Sequence, residues 1–133
     1  MPRADDVLWD QRLLHVVGKG RHERLVPMHD AVVDALTVHR VPRSGFVFRR
    51  PHGGPWAPQH VSRRVSLYMA DVGIEATAHQ LRHWFGSRAY AACHDLRVVQ
   101  ELLGHQSPTT TAVYTAFSHT EAARAVEALP VAM

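Results

Sequence analysis

Apolar and polar positions along this chain follow two different periods, and the switch between them falls near His29. Before it, short apolar runs are punctuated by glycine. Arg12 to Val17 and His22 to Met28 read as two strands joined by the turn Gly18-Lys19-Gly20, which predicts an antiparallel hairpin. Glycine on either side of Lys19 frees the turn to take positive φ and to approach another backbone closely. Ahead of the hairpin, Val7, Leu8 and Trp9 stand out from the otherwise polar Met1 to Asp10 and predict a further short strand.

Beyond His29 the spacing becomes helical. His29 to Arg40 carries Ala31, Val32, Ala35, Leu36 and Val38 as its apolar side, and Pro42 stops it. Phe46 to Phe48 predicts a brief strand, followed by a Pro/Gly loop over Arg49 to Ala57. Pro58 then opens a helix running to about Val72, with Gly73 as its stop. Thr77 and Gln80 have the spacing of a capping box, which starts the next helix. Its Trp84, Phe85, Ala89, Tyr90 and Ala91 are expected to form the core of the domain. Asp95 caps Leu96 to Leu103, and Gly104 ends that helix at C′.

Ser107-Pro108 reads as N-cap and N1 of a short helix bearing Tyr114. The β-branched run Thr109 to Thr111 gives that helix poor intrinsic stability, so it can move to present its tyrosine. A last helix, about Thr120 to Leu129, has Ala122, Ala125, Val126 and Leu129 at helical spacing and is suited to pack on its own domain or on a neighbour. The expected fold is α+β and mainly α: a small antiparallel hairpin or sheet at the N-terminus, then a helical bundle, in one domain over residues 1–133.

Composition narrows the function classes. A hydrophobic share of 46% with 20% charged residues is that of a globular domain, and no apolar run approaches a membrane span or the core of a signal peptide, so a cytoplasmic location is expected. Cys93, the only cysteine, leaves no intrachain disulfide and no thiolate metal cluster, and reads as a packed core residue. The net charge is +3. Because every cation but Lys19 among the 15 is arginine, the excess suits phosphate contacts, although its size alone argues weakly for nucleic acid. The 11 histidines sharpen this, since small shifts move imidazoles across neutral pH.

Candidate chemistry concentrates between Thr77 and Phe117. His79 and Arg82 are i and i+3 in the first turn of the Thr77 helix, so they share a face where the helix dipole favours an anion. His105 is held in the tight connection after Leu103-Gly104, and Tyr114 follows. A phosphodiester met by a guanidinium, two imidazoles and a phenol has what phosphoryl transfer needs: cationic donors, a proton donor and an in-line nucleophile. No metal or cofactor is required, because guanidinium groups supply the charge. Taken singly, a helical histidine or a half-buried tyrosine is more often structural. It is the ordered set that points to a site.

These residues, His79-Gln80-Leu81-Arg82, Leu103-Gly104-His105 and Tyr114, resemble the C-terminal catalytic half of the tyrosine recombinase (phage integrase) family. Gly18-Lys19-Gly20, with Arg24 and Val26-Pro27 after it, looks like that family's β-hairpin. The likeness covers nearly the whole chain. It implies a DNA breaking and rejoining fold in which Tyr114 attacks a DNA phosphate to form a 3′-phosphotyrosyl ester, and a 5′-hydroxyl leaves. By position, Arg82 would be the second arginine of the pair that holds the phosphate, His79 the proton-transfer or positioning histidine, His105 a phosphate donor and Lys19 the general acid. Double-stranded DNA is the implied partner, with assembly as a tetramer on DNA. Arg63 and Arg64 form a small basic patch suited to the DNA backbone, where a solvated face is the ordinary outcome.

One family feature has no counterpart. The pattern Gly-x-Arg-x-x-Glu-Leu, which carries the family's first catalytic arginine, does not occur, and Arg3 is followed by Ala-Asp-Asp-Val. The expectation is therefore a fragment, a late translation start, or a remnant that binds DNA without cutting it. Two other classes compete: a DNA-binding regulator on the same fold, and a zinc hydrolase using His79 and His83 at i, i+4. Gln80 stands where the zinc pattern places its general-base glutamate, which weakens the second.

Overall fold

In the computed structural model, residues 1–104 and 119–131 are described. A three-stranded antiparallel sheet, in the order β1 (Val7–Leu8), β2 (Leu13–Val17), β3 (Glu23–Pro27), opens the chain. Its register pairs Val7 with Leu14 and Leu14 with Val26, so the strand expected near Val7 is present, shortened to two residues. Turns of 3₁₀ type, Ala4–Asp6 and Trp9–Gln11, confine it on both sides, and Arg12 takes a left-handed φ of 53° to redirect the chain into β2.

Five α-helices follow among the described residues: α1 (Asp30–Val38), α2 (Pro58–Asp71), α3 (Ala78–Cys93), α4 (Leu96–Leu103) and α5 (His119–Glu127). Local signals set their ends. The Thr77 hydroxyl accepts from the Gln80 amide while the Gln80 side chain accepts from the Thr77 amide, which closes the capping box and fixes the start of α3. Asp95 accepts from the Arg97 and Val98 amides to start α4, and Gly104, at φ +70°, ends it.

The core joins α3, α4 and α5 and rests on β3. Ala89, Val98, Val99, Leu102, Ala122, Ala125 and Val126 are buried, with Val26, Phe85, Cys93 and Leu103 packed against them. α5 therefore packs on its own domain. The fold class expected from the sequence is found, with two local corrections. Trp84, Tyr90 and Ala91 are not core: the first two stay over 40% exposed, and Ala91 is exposed as well. The inward face of α3 is instead built from small residues: Gly86 lies so close to α4 that a Cβ there would stand 3.1 Å from Leu103, and Ala89 is fully buried. Beside these small residues Phe85 packs against the core, whereas Trp84 and Tyr90 stay exposed.

Phe46 to Phe48 forms no strand. Two hydrogen bonds, Ala4 N–H to the Gly45 carbonyl and Val47 N–H to the Pro2 carbonyl, make an isolated bridge. It cannot extend, because Pro2 has no N–H and the turn through Gly53 and Gly54 bends the chain away. The apolar side expected on α1 is likewise open at Val32 and Val38.

Candidate active site

The hairpin tip, the first turn of α3 and the last turn of α4 meet at Leu103-Gly104. At the tip the Gly18 amide donates to the His22 carbonyl, and Lys19–Arg21 forms a 3₁₀ turn closed by Gly20 at φ +74°. Lys19 then lines a cavity of about 350 Å³ with Arg24, Glu23, Glu101 and Gly104. Arg82, one turn into α3, donates through Nη2 to the Leu103 carbonyl. That carbonyl lies at the negative end of the α4 dipole, where a cation is favoured. On the other side of the turn, a second cavity of about 480 Å³ is lined by His79, Arg82, His83, Tyr90, Val99 and Leu103.

Two elements thus flank the Leu103-Gly104 turn with candidate residues: the hairpin tip carries Lys19 into one cavity, and α3 carries His79 and Arg82 into the other. Lys19, His79 and Arg82 are all solvent-exposed, as groups that meet a macromolecular ligand must be. His105 and Tyr114, with the Ser107-Pro108 cap, lie outside the described residues. Arg63 and Arg64 are exposed on α2 and line neither cavity; Arg64 lies over the Trp56 ring at 5.4 Å.

Two features went unread in the sequence. His79 and His83 share a hydrogen bond, Nε2 to Nε2 at 3.0 Å, with their rings edge to face. One nitrogen must carry the proton and the other the lone pair, so the two imidazoles form one proton-sharing unit. The i, i+4 spacing was visible, but it suggested metal ligands. The second feature is Arg24. Burial and the like charge of Arg82 push its guanidinium below the usual range, with Glu101 opposing the shift. The signal available for it was its place in the Gly-Lys-Gly-x-x-x-Arg run.

Residues 3–121 match the Phage integrase family. The chain is 39% identical over 130 residues to a tyrosine recombinase XerD from Lacticaseibacillus casei, covering 88% of this chain and 44% of that protein. A tyrosine recombinase XerC from Methylobacterium nodulans is 40% identical over 121 residues, covering 85% of this chain and 38% of that protein. Among solved structures, an integrase from mycobacterium phage Brujita superposes with a TM-score of 0.79 at 34% identity, covering 96% of this chain and 44% of that one. A XerA recombinase gives 0.68 at 25% identity, over 90% of this chain and 46% of that one. The chain spans less than half the length of these relatives. With the family pattern running through the hairpin, α3 and α4, the chain belongs to the phage integrase family of tyrosine recombinases.

Proposed function

We propose that this chain carries the strand-transfer chemistry of a site-specific DNA recombinase acting on double-stranded DNA in the cytoplasm. The Tyr114 hydroxyl attacks a DNA phosphate, a 3′-phosphotyrosyl ester forms, and the 5′-oxygen leaves as a hydroxyl. A second strand's 5′-hydroxyl then attacks the ester and releases the tyrosine, so no nucleotide cofactor is consumed. Arg82 and His105 hold the non-bridging oxygens, His79 positions or transfers the proton of the tyrosine, and Lys19 protonates the leaving oxygen. Arg63 and Arg64 contact the DNA backbone, and four copies assemble on two DNA sites.

The observation that supports this reading most is that Arg82 bonds the Leu103 carbonyl while Lys19 and His79 line cavities on the two sides of the Leu103-Gly104 turn, which precedes His105 in sequence. The Arg82 bond to the Leu103 carbonyl uses one nitrogen of its guanidinium. Four other N–H donors remain for an anion. The shared proton of His79 and His83 gives the pair a donor and an acceptor at once, which suits a proton-transfer role.

A second reading is favoured by the sequence: no Gly-x-Arg-x-x-Glu-Leu pattern stands in these 133 residues. Missing one preorganised cationic donor lowers a rate by roughly 10² to 10³. On that reading the 133 residues alone bind DNA and cleave it slowly or not at all. A nicked suicide duplex, whose cleaved strand diffuses away, separates the two by accumulating slow product. Chemistry at Tyr114 gives a covalent band that is lost in Tyr114→Phe and a free 5′-hydroxyl end. Retained DNA binding without a band in the wild-type chain leaves binding alone.

A further inference from the structure

The guanidinium of Arg24 is wedged between two glycines. A Cβ on Gly18 would stand 3.3 Å from its Nη1. A Cβ on Gly104 would stand 2.5 Å from Nη1, 2.6 Å from Cζ and 3.1 Å from Nη2. These glycines immediately precede Lys19 and His105, two proposed site residues far apart in sequence. One planar group from β3 therefore lies beside both glycines, where a side chain on either would meet it.

The energetics are unusual for a structural arginine. Its Nε is shut off from solvent and has no hydrogen-bond partner among the described residues. Its charge is opposed by Arg82 and only partly offset by Glu101. An unpaired, partly buried cation of this kind costs stability, and an apolar side chain would fill the same space without that cost. Two nearby features favour it: the negative end of the α4 dipole, and any anion bound in the cavity it lines with Lys19. Glu23 and Glu101 line that cavity too, so it is not uniformly positive. Size and flatness matter more than charge alone. A flat guanidinium lies within 3.3 Å of where a Cβ on either glycine would stand, and lysine has no such plane.

We propose that Arg24 is a positioning residue of the strand-transfer site, seating the hairpin tip that carries Lys19 against the Gly104 turn that leads to His105. The inference rests on the function proposed above. It also gives Gly104 a second role beyond its positive φ: a side chain there would expel the guanidinium.

The test uses the purified chain and a nicked suicide duplex whose core is selected from a randomised pool for binding to Tyr114→Phe. Adduct rate, DNA affinity and melting temperature are measured for wild type, Arg24→Ala, Arg24→Lys, Gly104→Ala and the Arg24→Ala/Gly104→Ala double variant. A misplaced general acid predicts that both Arg24 variants form adduct at least about tenfold more slowly, with affinity within about threefold of wild type. Arg24→Lys keeps the charge and still fails. The double variant is faster than the product of the single effects predicts, because removing the guanidinium relieves the clash with the new methyl group. Millimolar guanidinium ion restores part of the Arg24→Ala rate. Wild-type rate in Arg24→Lys, or losses that only follow melting temperature, overturn this inference and leave the proposed function standing. No adduct from the wild-type chain overturns both.

Discussion

α4 and α1 carry similar apolar content, gathered on one side of α4 and spread more widely around α1, and they end in opposite environments. Val98, Val99 and Leu102 of α4 are all at most 5% exposed, whereas Val38 of α1 is 75% exposed and Val32 46%. Periodicity says which face of a helix can be buried. It does not say whether a partner surface exists. α4 has α3 at the close approach of Gly86 and α5 through Ala122, Ala125 and Val126. α1 is held largely by polar pins instead: Arg12 to the Asp30 carboxylate, and the Asp30 amide to Glu127 on α5 at 2.9 Å. α4 is thus fastened by packing, and α1 in good part by surface hydrogen bonds.

The largest expected effect that tests this contrast is Leu102→Ala, which removes a side chain 4% exposed from the junction of three helices. It should cost about 2 to 5 kcal/mol in urea unfolding. A cost under about 1 kcal/mol would show the α4 seam to be loosely packed. Next come the caps. Asp95 satisfies two amides at 2.9 and 3.3 Å, so Asp95→Ala should lose about 1 kcal/mol. His29, which accepts from the single Ala31 amide at 3.0 Å, should lose less when replaced by Ala. Reversal of that order would break the comparison.

A smaller effect separates the halves by pH. His15 lies between Asp6 (3.1 Å) and Glu23 (3.2 Å), and hydrogen bonds to these carboxylates raise its pKa. Its contribution is complete below the ordinary imidazole value and is lost as pH rises through the raised one. Asp6 is held below the usual carboxylate range first by the Arg3 amide and then by His15, so its contribution fades only as pH falls through the lowered value. Melting temperature should therefore decline as pH rises above neutrality. His15→Gln should flatten that decline while leaving amide protection in α4 unchanged. The smallest effect is Val38→Ala, expected to stay within about 0.5 kcal/mol of wild type by urea unfolding.

Legibility in the sequence followed the same divide. Short-range signals survived intact: the Thr77–Gln80 box, the Asp95 cap and Gly104 all occupy the positions their chemistry demands. The hairpin register and the shared turn of His79 and Arg82 were equally local. What failed depended on contacts distant in sequence. Trp84 and Tyr90 look like core residues, yet the core side of α3 is Phe85, Gly86 and Ala89, and both stay exposed. Phe46 looks like a strand, but its bridge partner is Arg3, and Pro2 beside it has no N–H to extend the ladder. Arg24 reads as a polar residue on a hairpin, because nothing near it in sequence announces that Gly104, 80 positions later, lies against its guanidinium.

The most direct measurement of the central claim is the identity of the residue esterified to DNA. Adduct trapped on the suicide duplex, digested with nuclease and protease, should yield one modified peptide, with a nucleotide joined through its 3′-phosphate to Tyr114. A nucleotide on Tyr68 or Tyr90, a 5′-linked ester, or no ester in wild-type protein that still binds the duplex would contradict it.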